Sequence, residues 1–203
     1  MSDKRVMVIG SGGREYAFAW KLNKDKEVDK VYCAPGNGGT STFAINVDCD
    51  INNNNEILEQ VIKHKIDLVL VGPEDPLANG IVDFLKTKNI KVFGPDKYAS
   101  QLESSKLFAR EVMDEYNIPQ PNYKKCTSAA EVLEVKNDWG LPIVVKADGL
   151  AAGKGVIICE DENSFNDALD LMFEKSGFGD ASKIVSVEAV SYTHLTLPTK
   201  RIV

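Results

Sequence analysis

Short apolar runs alternate with amphipathic stretches along the first hundred residues. Lys4 to Ile9, Lys30 to Ala34, Asp67 to Val71 and Ile90 to Phe93 are rich in β-branched residues. Runs this short, bounded by Gly and Pro, predict strands. Asp67 to Val71 is nearly all apolar, as expected for a parallel sheet covered on both faces. Between these runs the spacing predicts helices over Tyr16–Leu22, Glu56–Lys65 and Leu77–Lys86. The first would bury Ala17, Phe18, Trp20 and Leu22; the second would turn Ile57, Leu58, Val61 and Ile62 inward, with Asn55 as its cap. Strand, glycine turn and helix in repetition predict a doubly wound, Rossmann-like α/β domain.

The alternation then changes. Lys97 to Tyr116 reads as one helix with Leu102, Phe108, Val112 and Met113 on its apolar side. Ile118-Pro119-Gln120-Pro121 breaks it, and the domain junction falls between Asp96 and Pro121. A strand over Tyr123–Cys126 follows, then a helix over Ala129–Asn137 capped by Thr127 or Ser128. A hairpin over residues 142–158, a helix over Glu162–Phe173 and a strand over Lys183–Val187 complete an α+β module.

Composition narrows the class. The chain has 203 residues, 43% hydrophobic and 27% charged, with a net charge of −6. Those proportions are those of an ordinary globular protein and give no basic face for nucleic acid. The four cysteines, Cys33, Cys49, Cys126 and Cys159, form no CxxC pair. With no signal peptide or membrane-length apolar run, they read as reduced, buried thiols of a cytoplasmic protein with no membrane or nucleic-acid partner.

Candidate chemistry concentrates in glycine-rich loops. In the hairpin, Lys146 ends one apolar run, and Gly149, Gly153, Lys154 and Gly155 fill the loop before the next. Glycines let backbone N–H groups approach an anion, and lysines add charge, so this could be a lid over a triphosphate. A plain hairpin with solvated lysines is the alternative. Gly10-Ser11-Gly12-Gly13-Arg14-Glu15 follows the first strand, where N–H groups and the positive helix end can receive phosphate. The third glycine of GxGxxG is replaced by Glu15, which weakens a dinucleotide-dependent oxidoreductase; helix–strand packing is the equal alternative for these glycines. Asn37-Gly38-Gly39 and Gly72-Pro73-Glu74 belong to further loops at the same sheet edge, where open α/β sheets bind ligands. Glu74 either contacts a ligand or caps the next helix. His64, in a helix's last turn, reads as a helix-end cation or a solvated residue. A third class is a non-catalytic module binding phosphate esters at residues 10–15 and 36–39 without Lys146.

The segments VIGSGGRE, APGNGG, DLVLVGPEDPLANGIVD, FGP, QLESSK and IVVKADGLAAGKGVII, spread over residues 4–188 in the same order, resemble the phosphoribosylamine–glycine ligase (glycinamide ribonucleotide synthetase) family of ATP-grasp enzymes. The resemblance implies a Rossmann-like substrate domain over residues 1–103 and the start of an ATP-grasp domain over 104–190. It implies a ligase of purine biosynthesis that joins glycine to 5-phosphoribosylamine through an acyl phosphate, releasing ADP and phosphate. By the same resemblance Lys106, Lys146, Gly149, Gly153, Lys154, Gly155 and Glu188 would bind ATP, Glu188 as an acidic hinge beside adenine. Gly12, Gly13, Arg14, Asn37, Gly38, Pro73 and Glu74 would receive phosphoribosylamine. The family implies ATP with Mg2+ (or Mn2+), small-molecule substrates and a monomer.

Two residues depart from the family pattern: Tyr16 stands where it usually has His, and Ser105 where it usually has Gly. Residues 191–203 match nothing in the family, and Ser191 to Thr199 resemble a translated sequencing-library adapter. The expectation is an artefactual tail on a truncated chain, so that His194 carries no role. Metal ligands and most of the glycine site would then lie in a missing C-terminal half, leaving no catalytic residue here, weak or absent nucleotide binding and no turnover.

Overall fold

The computed structural model describes residues 4–150, 154–175, 177–178 and 183–190. Its first strand, β1 (Lys4–Gly10), is buried from Val6 onward. It is followed by α1 (Gly13–Asn23), β2 (Val28–Pro35), a short 3-10 turn and β3 (Ile45–Asn46). The unit continues with α2 (Asn54–His64), β4 (Leu68–Val71), α3 (Glu74–Ala78), α4 (Ile81–Thr87) and β5 (Val92–Phe93). The strands form one parallel sheet in the order β3-β2-β1-β4-β5. Met7 and Ile9 pack with Ile57 and Val61 of α2 and with Ile81, Val82 and Leu85 of α4. Val8 faces the other way, into a cluster with Ala19, Val31 and Cys33. Covering on both faces is why β1 reads as an unbroken apolar run.

Several local expectations are corrected. In α1 the buried positions are Glu15 and Ala19, with Leu22 partly covered, whereas Phe18 and Trp20 are exposed. Residues 15, 19 and 22 share one helical face, which 17, 18, 20 and 22 cannot. In α2, Ile57 and Val61 are buried but Ile62 points to solvent. The α2 cap is Asn53, whose side chain accepts from the Asn55 and Glu56 N–H groups, so the helix starts at Asn54. The single helix expected over 77–86 is two, separated by Gly80 at φ +86, a conformation an L side chain rarely adopts. The helix expected over 97–116 is also interrupted: Ser105 is extended and its Oγ accepts from the Phe108 N–H.

The described residues from Leu102 onward form a second compact unit, the division falling after Gln101. The short helix α5 (Gln101–Ser104) leads into it. It contains α6 (Lys106–Glu115), β6 (Tyr123–Cys126), α7 (Ala129–Trp139), β7 (Ile143–Ala147), β8 (Val156–Cys159), α8 (Glu162–Leu169) and β9 (Val185–Ala189). The four strands form an antiparallel sheet in the order β6-β9-β7-β8. Ile143, Val145, Ala147, Val185 and Val187 point to one face, where Val132 and Val135 of α7 and Phe165 and Ala168 of α8 close the core. The opposite face carries Val144, Lys146, Ser186 and Glu188, because directly paired residues share a face. The fold class is therefore the expected one: a parallel α/β domain followed by an α+β unit. No helix among the described residues is long and apolar enough to cross a membrane.

Candidate functional site

The polar face of the second sheet carries the candidate nucleotide residues. Lys146 lies opposite Ser186 on the neighbouring strand, and Glu188 is two positions further along it. That diagonal lets the Lys146 amine reach the Glu188 carboxylate at 2.7 Å. Glu188 has a side chain only 4% exposed and is also held by Arg110 of α6, with Nη2 at 2.5 Å and Nε at 3.2 Å. The carboxylate is thus engaged by two cations rather than open to a ligand. Beside it Val144 is half-buried, while Val156 and Ile158, on the same face of β8, are exposed. An apolar shelf next to fixed charge suits a flat base joined to phosphates.

The glycine loop begins where β7 ends. The Ala147 N–H donates to the Gly155 carbonyl, closing the hairpin at 2.8 Å. Asp148 is anchored to the start of α6, where it accepts from Ser105 Oγ and from the Leu107 N–H at 3.1 Å. A carboxylate at a helix N-terminus satisfies otherwise unpaired donors and the helix dipole. Gly149 follows at φ +139, and its carbonyl accepts from the Lys106 amine at 3.1 Å. Lys106 therefore reaches the root of the loop from α6, and Lys146 rises from the strand below. Lys154 is exposed and Gly155 buried. Gly153 lies outside the described residues, as do residues 191–203 with His194.

The other candidate cluster lies at the carboxyl edge of the first sheet, where the loops after β2, β1 and β4 stand side by side. Its central feature is a carboxylate the sequence reading did not assign. Glu15 is buried at 4%, and it accepts from the Gly12 N–H at 2.8 Å and from Arg14 Nε at 2.9 Å. A Cβ on Gly12 would sit 2.8 Å from Glu15 Oε2, and one on Gly10 or Gly72 would come closer still to the same side chain. These glycines house Glu15. In a GxGxxG turn that space admits a pyrophosphate, so the carboxylate here both fills and repels the dinucleotide position.

Around Glu15 the remaining candidates take different parts. Arg14, with a side chain 56% exposed, also reaches Glu74 at 3.5 Å. Glu74 is the first residue of α3, with Pro73 at the cap position and no side-chain cap bond. Asn37 is held inside its loop: its amide donates to the Ser11 carbonyl, and its Oδ1 accepts from the Gly39 and Thr40 N–H groups. Gly13 and Gly38 border open space, so the backbone is approachable there. Tyr16, in the position that departs from the family pattern, packs edge-on against Phe43.

Of the two readings of His64, a helix-end cation or a solvated residue, the cation is disfavoured, and the side chain is half-buried. Partial burial, then Lys63 and Arg5, push its pKa below 6.5, and its ring lies 4.8 Å from that of Tyr32. Burial raises the Cys33, Cys126 and Cys159 thiols to about 11, so they stay protonated and unreactive near neutrality. Three side chains escaped the sequence reading: Glu15, Arg110 and Asp148. A signal for Arg110's partner was present, since Val185-Ser186-Val187-Glu188 alternates and places Ser and Glu on one strand face.

Comparison with known families places the chain. The family model described as "Phosphoribosylglycinamide synthetase, N domain" matches residues 4–103, and that described as "Phosphoribosylglycinamide synthetase, ATP-grasp (A) domain" matches residues 104–193. The chain belongs to the phosphoribosylglycinamide synthetase family. It is 44% identical over 184 residues to the phosphoribosylamine–glycine ligase of Clostridium acetobutylicum, covering 91% of this chain and 44% of that relative. It is 42% identical over 188 residues to that of Caldanaerobacter subterraneus, covering 93% and 45%. The crystal structure of the Thermotoga maritima phosphoribosylamine–glycine ligase superposes with a TM-score of 0.73 at 28% identity, covering 92% of this chain and 44% of that one. The chain thus spans less than half the length of these synthetase-family relatives.

Proposed function

We propose that this chain supplies the amine-substrate edge and the nucleotide hairpin of an ATP-dependent ligase acting in purine biosynthesis. In that reaction a carboxylate oxygen of glycine attacks the γ-phosphorus of ATP and ADP leaves. The amine of 5-phosphoribosylamine then attacks the acyl carbon, phosphate leaves, and the ammonium formed gives up a proton. Phosphoryl transfer needs positioning and charge neutralisation more than covalent help. Lys106 and Lys146 would supply that charge, Gly149, Gly153, Lys154 and Gly155 would close over the phosphates, and Val144, Val156 and Ile158 would support the base. Glu188 would act through Lys146, with its backbone at the hinge beside adenine. Gly12, Gly13, Arg14, Asn37, Gly38, Pro73 and Glu74 would receive the phosphoribosyl group, with Gly13 and Gly38 as the points of closest backbone approach. Small molecules would be its only partners, in a cytoplasmic monomer.

The observation that carries this reading is the partly exposed Lys146 amine on the polar sheet face, held by a buried carboxylate beside an apolar shelf. Among the described residues no three His, Cys, Asp or Glu side chains gather to hold a metal. The test is a chimera in which Lys4–Ala189 replace the matching segment of the Clostridium acetobutylicum relative. ADP release should depend on both glycine and phosphoribosylamine, and Lys146→Ala should lower kcat/KM by about a hundredfold, the usual cost of losing one preorganised charge donor. A Lys146→Ala chimera as active as its parent would overturn the nucleotide reading.

A further inference from the structure

We propose that Arg110 is a positioning residue for Lys146: it holds Glu188 so that the lysine can leave that carboxylate for a phosphate. The inference rests on the nucleotide reading of the hairpin and adds a residue that reading did not contain.

The geometry is asymmetric. Arg110 engages both carboxylate oxygens, Nε with Oε1 at 3.2 Å and Nη2 with Oε2 at 2.5 Å. Lys146 engages Oε2 alone, at 2.7 Å. Ser186 Oγ adds a long contact to Oε1 at 3.5 Å. A bidentate guanidinium satisfies a carboxylate by geometry as well as by charge, and a lysine is a point charge on a flexible stem.

Arg110 is itself fixed. Its Nη1 donates to Gln120 Oε1 at 3.3 Å, and its backbone carbonyl accepts from Gln120 Nε2 at 3.0 Å. The same Gln120 amide donates to Asp114 Oδ1 at 2.6 Å, which anchors the glutamine to α6. Among the described residues Lys146 has no such second tether, and it lies on the face that carries the apolar shelf.

Removing either cation therefore has different consequences. A buried carboxylate left without a partner is strongly unfavourable. When Lys146 departs, the two arginine bonds remain and Glu188 stays satisfied. When Arg110 is absent, Lys146 becomes the carboxylate's remaining cation and is bound more tightly to it. The fixed arginine thus sets how readily the mobile lysine is released.

The experiment uses the 203-residue chain and reads acylation of the Lys146 amine by acetic anhydride, site by site, together with the thermal midpoint. Arg110→Met should slow acylation of Lys146 by about tenfold, the factor corresponding to one added ionic hydrogen bond's worth of restraint. Arg110→Lys should restore part of the rate. Lys146→Met should lower the midpoint less than Arg110→Met does. ATP, added as the probe, should protect Lys146 in the parent chain and do so at higher concentration in Arg110→Met. Faster acylation in Arg110→Met would mark an arginine that only braces the fold, and would overturn the proposal. So would a Lys146→Met chain as unstable as Arg110→Met. Failure of ATP to protect Lys146 in the chimera with the Clostridium acetobutylicum relative, as well as in the 203-residue chain, would count against the nucleotide reading instead, since the acylation rates and midpoints decide the arginine's part without it.

Discussion

Glu15 occupies the space that a dinucleotide's phosphates would need, and three glycines are shaped around it. Its carboxylate also satisfies the Gly12 N–H at the start of α1. Glu15→Ala empties the space that the three glycines enclose and removes the acceptor of the Gly12 N–H, and should destabilise the first unit by about 1–3 kcal/mol, seen as a lower urea midpoint at unchanged slope. His64 makes the opposite kind of contribution. Its folded-state pKa lies below the unfolded value of 6.5, because burial and the neighbouring Lys63 and Arg5 disfavour the charged ring. The stability gained from a neutral His64 is therefore complete above pH 6.5 and is lost as the pH falls through the folded-state pKa. Urea midpoints measured from pH 7.5 down to about 5 should fall with acidification, and His64→Gln should flatten that slope.

At the scale of elements, periodicity identified most strands and helices but not always their faces. In α2 both Ile57 and Ile62 fit an apolar stripe, and only the packing against β1 separates them. Ile57→Ala should cost about 2–5 kcal/mol, whereas Ile62→Ala should stay within about 0.5 kcal/mol, by chemical denaturation of each variant. Asn53→Ala should cost about 1 kcal/mol, because the cap of α2 is at Asn53 and not at Asn55. A run of four asparagines makes the cap's position illegible in sequence, since each side chain offers the same acceptor. Gly80 was equally hidden: within an amphipathic stretch a glycine is tolerated, and only its φ of +86 shows why the helix divides there. The hairpin was legible because β-branched runs, glycines and lysines all point to one local geometry. Its anchoring by Asp148 to the start of α6 was not, because that contact joins residues more than forty positions apart.

For the molecule as a whole, the order of motifs gave the family, and two adjoining family models cover residues 4–193. Which glycines of the first turn face a ligand was not legible. Gly10, Gly12 and Gly72 enclose Glu15, and Gly13 and Gly38 border open space, a distinction that depends on where one buried side chain points. The two sheets offer two kinds of candidate site, an edge of glycine-rich loops around Glu15 in the first unit and a charged face with an apolar shelf in the second. The nucleotide assignment of that second face is the claim on which the ligase reading turns. Titrating the 203-residue chain with millimolar ATP while following backbone amide NMR shifts tests it most directly, because weak binding still registers residue by residue. Shifts should concentrate at Lys106, at Lys146 to Gly149, at Lys154 to Val156 and around Glu188, and should vanish in Lys146→Ala. Shifts confined to Gly12–Arg14 and Asn37–Gly38, with the hairpin silent, would contradict it.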